Sequence, residues 1–160
     1  MISPLRIVTL NHVSNVTGVV TPMSEINILV HEENSFICWD CATACSHEAP
    51  MMNNTSIHPK DYCDALFMSP HKMIGGVGCP GLLILKKRFL VNDVPNQPGG
   101  GTIFYVNKDM HRYFFLPPIS VRYCQVLYDR EEGGTPNIMG AIRCGLTLHM
   151  HVGTASLHDV

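Results

Sequence analysis

The chain is poor in charge. Only 15% of its 160 residues are Asp, Glu, Lys or Arg; 11 basic residues against 13 acidic give a net charge of −2. No basic run is present, which argues against a nucleic-acid or anionic-membrane surface. No apolar stretch reaches the ~20 residues that a membrane span needs. The first residues, Met1-Ile2-Ser3-Pro4-Leu5-Arg6, carry no signal-peptide pattern. Internal repeats, low-complexity tracts and obvious linkers are also missing. What remains is a globular chain: 46% of it is apolar, enough for a real core in one domain.

Paired CxxC motifs are lacking too. The seven cysteines are an odd number and sit mostly inside apolar runs. They read as reduced thiols packed as small hydrophobes, which places the chain in a reducing, cytoplasmic compartment. Cys38, Cys41, Cys45 and His47 admit a second reading, as a zinc cluster. The spacing is irregular and Cys38 falls within an apolar run, so structural thiols are the preferred reading and no metal is expected.

Along the chain, apolar runs alternate with polar turns. Strands are expected at Arg6–Leu10, Phe36–Trp39, Asp64–Met68 and Gly81–Lys86, with Lys86-Lys87-Arg88 as a solvated exit and a further short strand at Ile103–Val106. His12–Gly18 reads as a polar loop. Ser24-Glu25 is placed to open a short helix within Pro22–His31. Asn96–Thr102 and Arg130–Thr135 read as glycine-containing loops, with Glu131 and Glu132 solvated. Pro136 fits the first turn of a helix, and Ile138, Ile142, Leu146 and Met150 repeat at near-helical spacing to about Val152. The continuous apolar run Phe36-Ile37-Cys38-Trp39 suits a strand buried on both faces. The expected architecture is a three-layer α/β domain with a mainly parallel sheet and helices on both faces. It is already under way at Met1 and ends at Val160 with its last helix uncovered.

One lysine stands out. Lys72 follows Ser69, Pro70 and His71 and precedes Gly75, Gly76 and Gly78. Asp40 lies at the end of the apolar strand, where open α/β sheets place ligand-binding groups. An amine, an imidazole, a hydroxyl and a carboxylate in this order suit pyridoxal phosphate (PLP). Lys72 would form a Schiff base with the cofactor aldehyde. Ser69 and His71 would bind its phosphate, and Asp40 would keep the pyridine nitrogen protonated. The plainer reading makes Lys72 an exposed loop lysine, His71 a loop histidine and Asp40 the cap of the next turn.

HVSNVTG, FICWDCATACSH, DALFMSPHKMIGGVGCPGLLILKK, PGGGTIFYV and REEGGTPNIMGAIRCGL, in this order, resemble the class V aminotransferases of fold-type I PLP enzymes, which include the cysteine desulfurases. The likeness runs from about residue 7 to 152 and implies an incomplete fold-type I large domain. It makes Lys72 the Schiff-base lysine, with Ser69, His71 and Asp40 as above. It adds Asn15 as a contact to the cofactor's phenolic oxygen. Thr43 falls where many members place a glutamine for the same oxygen. His47 becomes a packing and hydrogen-bonding residue, and Thr102, with Tyr105 as competitor, reaches a neighbouring subunit's cofactor phosphate. Arg143 is structural. His111, His149, His151 and His158 show no ligand pattern.

The resemblance further implies an amino-acid substrate, by transamination or removal of sulfur or selenium. It implies a homodimer, or association with a chain that supplies missing parts of the fold. The competing readings are a truncated, non-catalytic domain and one part of a split enzyme.

Overall fold

The computed structural model describes residues 5–106 and 121–155. His111 and His158 lie outside them. The chain forms two compact units: residues up to Lys86 together with those from Met139 onward, and Lys87–Ile138.

The first unit is built on a four-stranded sheet, β1 (Ile7–Asn11), β2 (Phe36–Asp40), β3 (Ala65–Met68) and β4 (Leu82–Leu85), in that spatial order. β1, β2 and β3 are parallel; β4 runs antiparallel to β3. The sheet is therefore mainly parallel, as expected, with strand bounds within a residue of those read from the sequence. β2 is central, and its period-two alternation puts Ile37 and Trp39 on one face, both fully buried. Trp39 lies opposite Leu10 on β1 and Leu66 on β3. These side chains form the core with Cys41, Ala44 and Cys63.

Helix α1 (Met23–Glu32) covers that face with Met23, Ile26 and Val30. It opens one residue before Ser24, because Pro22 holds the extended N-cap geometry. It ends in a Schellman motif. Ser35 N–H reaches Val30 O at 3.0 Å, and Asn34 takes the left-handed conformation at φ 51° that asparagine tolerates. β2 then starts at Phe36.

A polar pin runs through this packing. Asn27 and His31, one turn apart on α1, are both buried. Asn27 Oδ1 accepts from Trp39 Nε1 at 2.8 Å, and its Nδ2 donates to Asp61 Oδ1 at 3.0 Å. His31 Nε2 lies 3.0 Å from Asp64 Oδ2, which also accepts from Ile37 N–H at 2.9 Å. Helix, central strand and the approach to β3 are thereby fixed in register.

In the second unit, β5 (Ile103–Val106) pairs antiparallel with β6 (Val121–Tyr123), followed by the short helix α2 (Leu127–Glu131). The loop expected from Arg130 is corrected here. Arg130 and Glu131 belong to α2 and pair at 2.9 Å, and Arg130 is buried. A one-turn helix has too few residues to show a periodicity. Lys86 is corrected as well: it donates to Asn53 Oδ1 at 2.9 Å and lies 3.9 Å from the Tyr62 ring centroid, rather than entering solvent. The long helix α3 (Ile138–Ala155) matches its expected span. Gly140, Cys144 and Thr147 are buried among its described residues, whereas Ile138, Ile142, Leu146 and Met150 are exposed.

Candidate active site

Three parallel strands deliver their C-terminal ends to one edge of the sheet. β1 leads into the turn His12–Gly18. There Ser14 Oγ accepts from Val16 and Thr17 N–H, and Gly18, at φ 71°, closes the turn onto Ser14 O at 3.0 Å. This places Asn15 at the edge. β2 ends on Asp40, paired with Asn11 and Phe67 on its two neighbours. Its Oδ1 accepts from Ala42 N–H at 2.8 Å, so the carboxylate does cap the next turn. β3 leads into Ser69 and a single 3-10 turn, Pro70–Lys72, in which Lys72 N–H returns to Ser69 O at 2.9 Å.

The two turns meet. Lys72 Nζ donates to Thr43 Oγ1 at 3.4 Å, although 29 residues separate them. Thr43 and Asn15 line one open cavity of about 440 Å³, together with Val13, Ala44 and His47. The lysine amine thus reaches a residue of the cavity that Asn15 also lines, while Asp40 ends β2 two residues before Ala42, from whose N–H its carboxylate accepts; His71 is exposed beside Lys72 and Ser69 half-buried before it. His47 also lines this cavity.

Thr102 lies in the second unit. It is fully buried, and its hydroxyl donates to Gly99 O at 2.7 Å while accepting from Gly99 N–H at 3.0 Å. Tyr105 is exposed.

The cysteines are all free, and six are buried. Burial, reinforced by neighbouring Cys63 and Cys45, pushes the Cys41 thiol up to about 12. Burial also lifts Cys63 to about 11 against the lowering effect of the Asn27 hydrogen bond. Among the described residues no three His, Cys, Asp or Glu side chains converge on a metal-sized site. No helix of the described residues is long and apolar enough to cross a membrane.

The sequence reading missed the pin of Asn27, His31, Asp61 and Asp64 behind this edge. Its one signal was a polar pair spaced four apart on the apolar face of α1.

The chemistry of the donor set fits PLP: an amine for the aldehyde, a carboxylate at the strand end for the ring nitrogen, and hydroxyl, amide and imidazole groups around a cavity. Comparison with known proteins agrees. Cysteine desulfurases of Shigella sonnei (strain Ss046) and of Escherichia coli (strain K12 / DH10B) are each 30% identical over 97% of this chain. The chain spans 34% of their length. Among solved structures, the apo cysteine desulfurase of Thermococcus onnurineus NA1 matches at 29% identity and a TM-score of 0.66 over 91% of this chain and 32% of that one. A cysteine desulfurase from Escherichia coli shares the fold at a TM-score of 0.63 and 24% identity, over 91% of this chain and 32% of that one. The family model for aminotransferase class V matches residues 3–158. From motif order, sheet topology and this match, the chain belongs to the class V aminotransferase family.

Proposed function

We propose that this chain carries the reactive-lysine side of a PLP site in an enzyme acting on an amino acid, by transamination or cysteine desulfuration. The observation that carries the reading is the Lys72 amine at 3.4 Å from the Thr43 hydroxyl, beside the cavity that Asn15 and Thr43 line. When bound, PLP supplies an electron sink that makes bonds at the substrate's α-carbon labile. Lys72 would hold the cofactor aldehyde, and its free amine would serve as the base and acid for the substrate's α-proton. Asp40 would pair with the ring nitrogen and keep it protonated. Asn15 and Thr43 would contact the phenolic oxygen, and Ser69 and His71 would hold the phosphate. Thr43 is shorter than the glutamine that many relatives place here and is already committed to Lys72. In this chain it therefore anchors the free amine as well as the ring.

Thr102, and a second copy or another chain completing the fold, belong to the same proposal. The second reading is a chain that binds PLP without turning over substrate, alone or as one part of a split enzyme. It is favoured by the exposed apolar row Ile138, Ile142, Leu146 and Met150 on α3.

The test is the visible absorption spectrum of the purified chain with PLP, before and after borohydride reduction, beside Lys72→Ala. The expected result is a band that reduction converts into a stable adduct mapped to Lys72 and that the variant lacks. An adduct spread over surface lysines, equal in both proteins, would refute the site. Turnover of cysteine or another amino acid by this chain alone would refute the non-catalytic reading.

A further inference from the structure

Arg143 projects from α3 toward the segment that follows Lys72. Its Nη1 donates to Val77 O at 2.9 Å. The same nitrogen lies over Gly78, where a Cβ would come within 2.3 Å of it, and Gly78 needs its φ of +80°. One turn further along α3, the buried Thr147 places Oγ1 3.6 Å from Cys79 Sγ, also buried. Three consecutive residues, Val77 to Cys79, are therefore seated on α3.

That segment is itself folded onto the lysine turn. Cys79 N–H donates to Gly76 O at 2.9 Å, Gly76 N–H to Met73 O at 3.0 Å, Met73 N–H to Pro70 O at 3.0 Å and Lys72 N–H to Ser69 O at 2.9 Å. Gly76 sits so close that a Cβ would lie 1.9 Å from Pro70 O. Backbone hydrogen bonds thus lead from Cys79 through Gly76 and Met73 to the turn of Lys72, and Val77, which the Arg143 guanidinium holds, lies within the stretch they span. A guanidinium donor makes the bond to Val77 O charge-assisted.

We propose that Arg143 is a positioning residue for Lys72. It seats Val77–Cys79 on α3, and this segment fixes the Pro70–Lys72 turn that holds the amine against Thr43. The consequence for catalysis rests on Lys72 being the cofactor lysine; the brace does not.

The test uses the full chain without cofactor. Arg143→Met removes the donor while keeping apolar bulk on an exposed position, so the fold is kept. Amide hydrogen exchange at Met73, Gly76 and Cys79 is expected to rise about tenfold, with β1–β3 unchanged. Acetylation of Lys72 relative to Lys60 in the same molecule is expected to rise about threefold as the amine loses its fixed seat. Arg143→Lys, which keeps a cationic donor, is expected to restore both. Thr147→Val, which removes only the hydroxyl, is expected to speed exchange in the same segment alone. Exchange at 73–79 equal to the parent in both Arg143→Met and Thr147→Val would overturn the brace. Faster exchange with an unchanged Lys72-to-Lys60 ratio would overturn the positioning role, as would acceleration spread evenly over the sheet. Should the parent chain trap no PLP on Lys72, the function proposed above fails, while these two cofactor-free readouts still decide the brace.

Discussion

Asn27→Leu is the sharpest probe of what holds the site's strands in place. Leucine matches asparagine in shape and leaves no large void, so the cost comes from the partners it abandons. The Trp39 indole N–H, fully buried, loses its 2.8 Å acceptor. A buried donor left without a partner costs about 1–3 kcal/mol. Asp61, itself 2% exposed, loses the 3.0 Å bond from Asn27 and keeps that from Asn54 at 2.8 Å. Loss of a bond to a charged group adds about 1.5–3 kcal/mol. Leucine's own burial returns about 1–2 kcal/mol. The net expectation is about 2–4 kcal/mol, a large part of the ~5–15 kcal/mol that holds a domain together. Urea unfolding followed by far-UV circular dichroism, a signal that does not depend on Trp39, the chain's single tryptophan, reads it directly. Trp39→Phe in the Asn27→Leu background removes the stranded donor and should cost less than the sum of the two changes taken singly, by about 1 kcal/mol or more. A loss below about 0.5 kcal/mol for Asn27→Leu, or strict additivity in the pair, would refute the pin as a stabilising network.

Gly76→Ala should cost about 1–3 kcal/mol by overpacking, because its Cβ would meet backbone oxygens of Pro70 and Met73 that cannot rotate away; it should also displace Lys72, and an unchanged urea midpoint would contradict the close approach. The thiols give a pH dependence of defined sign. Cys41 and Cys63, raised by burial to about 12 and about 11, bind protons in the folded chain that an unfolded thiol releases above its usual ~8.5. Stability is therefore full below pH ~8.5 and falls as pH rises from there toward 12. Urea midpoints between pH 7 and 10 test this, and Cys63→Ala should flatten the decline. In the native chain at pH 8, a thiol reagent should modify Cys124, the one cysteine that is not buried, before Cys41, Cys45 or Cys63; the reverse order would show that the core opens.

The strands were legible because a buried parallel strand leaves a continuous apolar run, and Phe36–Trp39 has nothing else to be. Lys72 and Asp40 were legible because each follows such a run, where the chain leaves the sheet at its C-terminal edge. The antiparallel direction of β4 was not legible. Gly81–Leu85 reads identically in either direction, and only the turn through Gly75, Gly76 and Gly78 decides it. α2 and β6 were missed for a simpler reason: elements of five and three residues fall below the length at which either period can repeat. Thr102 was read from its loop motif, but the sequence could not show its hydroxyl engaged with Gly99 on both sides, a matter of local turn geometry.

The site depends on a division of labour between faces and edge of one sheet. Ile37 and Trp39 point into the core and bind β2 to α1, while the next residue on the strand, Asp40, ends it at the edge. A change of register by one residue would send Trp39 to the opposite face and misplace the carboxylate in the same movement. The pin of Asn27 to Trp39 therefore fixes which face β2 presents, and with that where Asp40 leaves the sheet. Lys72 is guarded differently. Its turn is too short and too exposed to hold itself, and the close approach of Gly76 to Pro70 lets a neighbouring segment hold it instead. A strand position can be fixed by burial alone, whereas the Lys72 side chain is exposed. The backbone hydrogen bonds behind its turn reach Cys79, and Arg143 and Thr147 of α3 contact that segment.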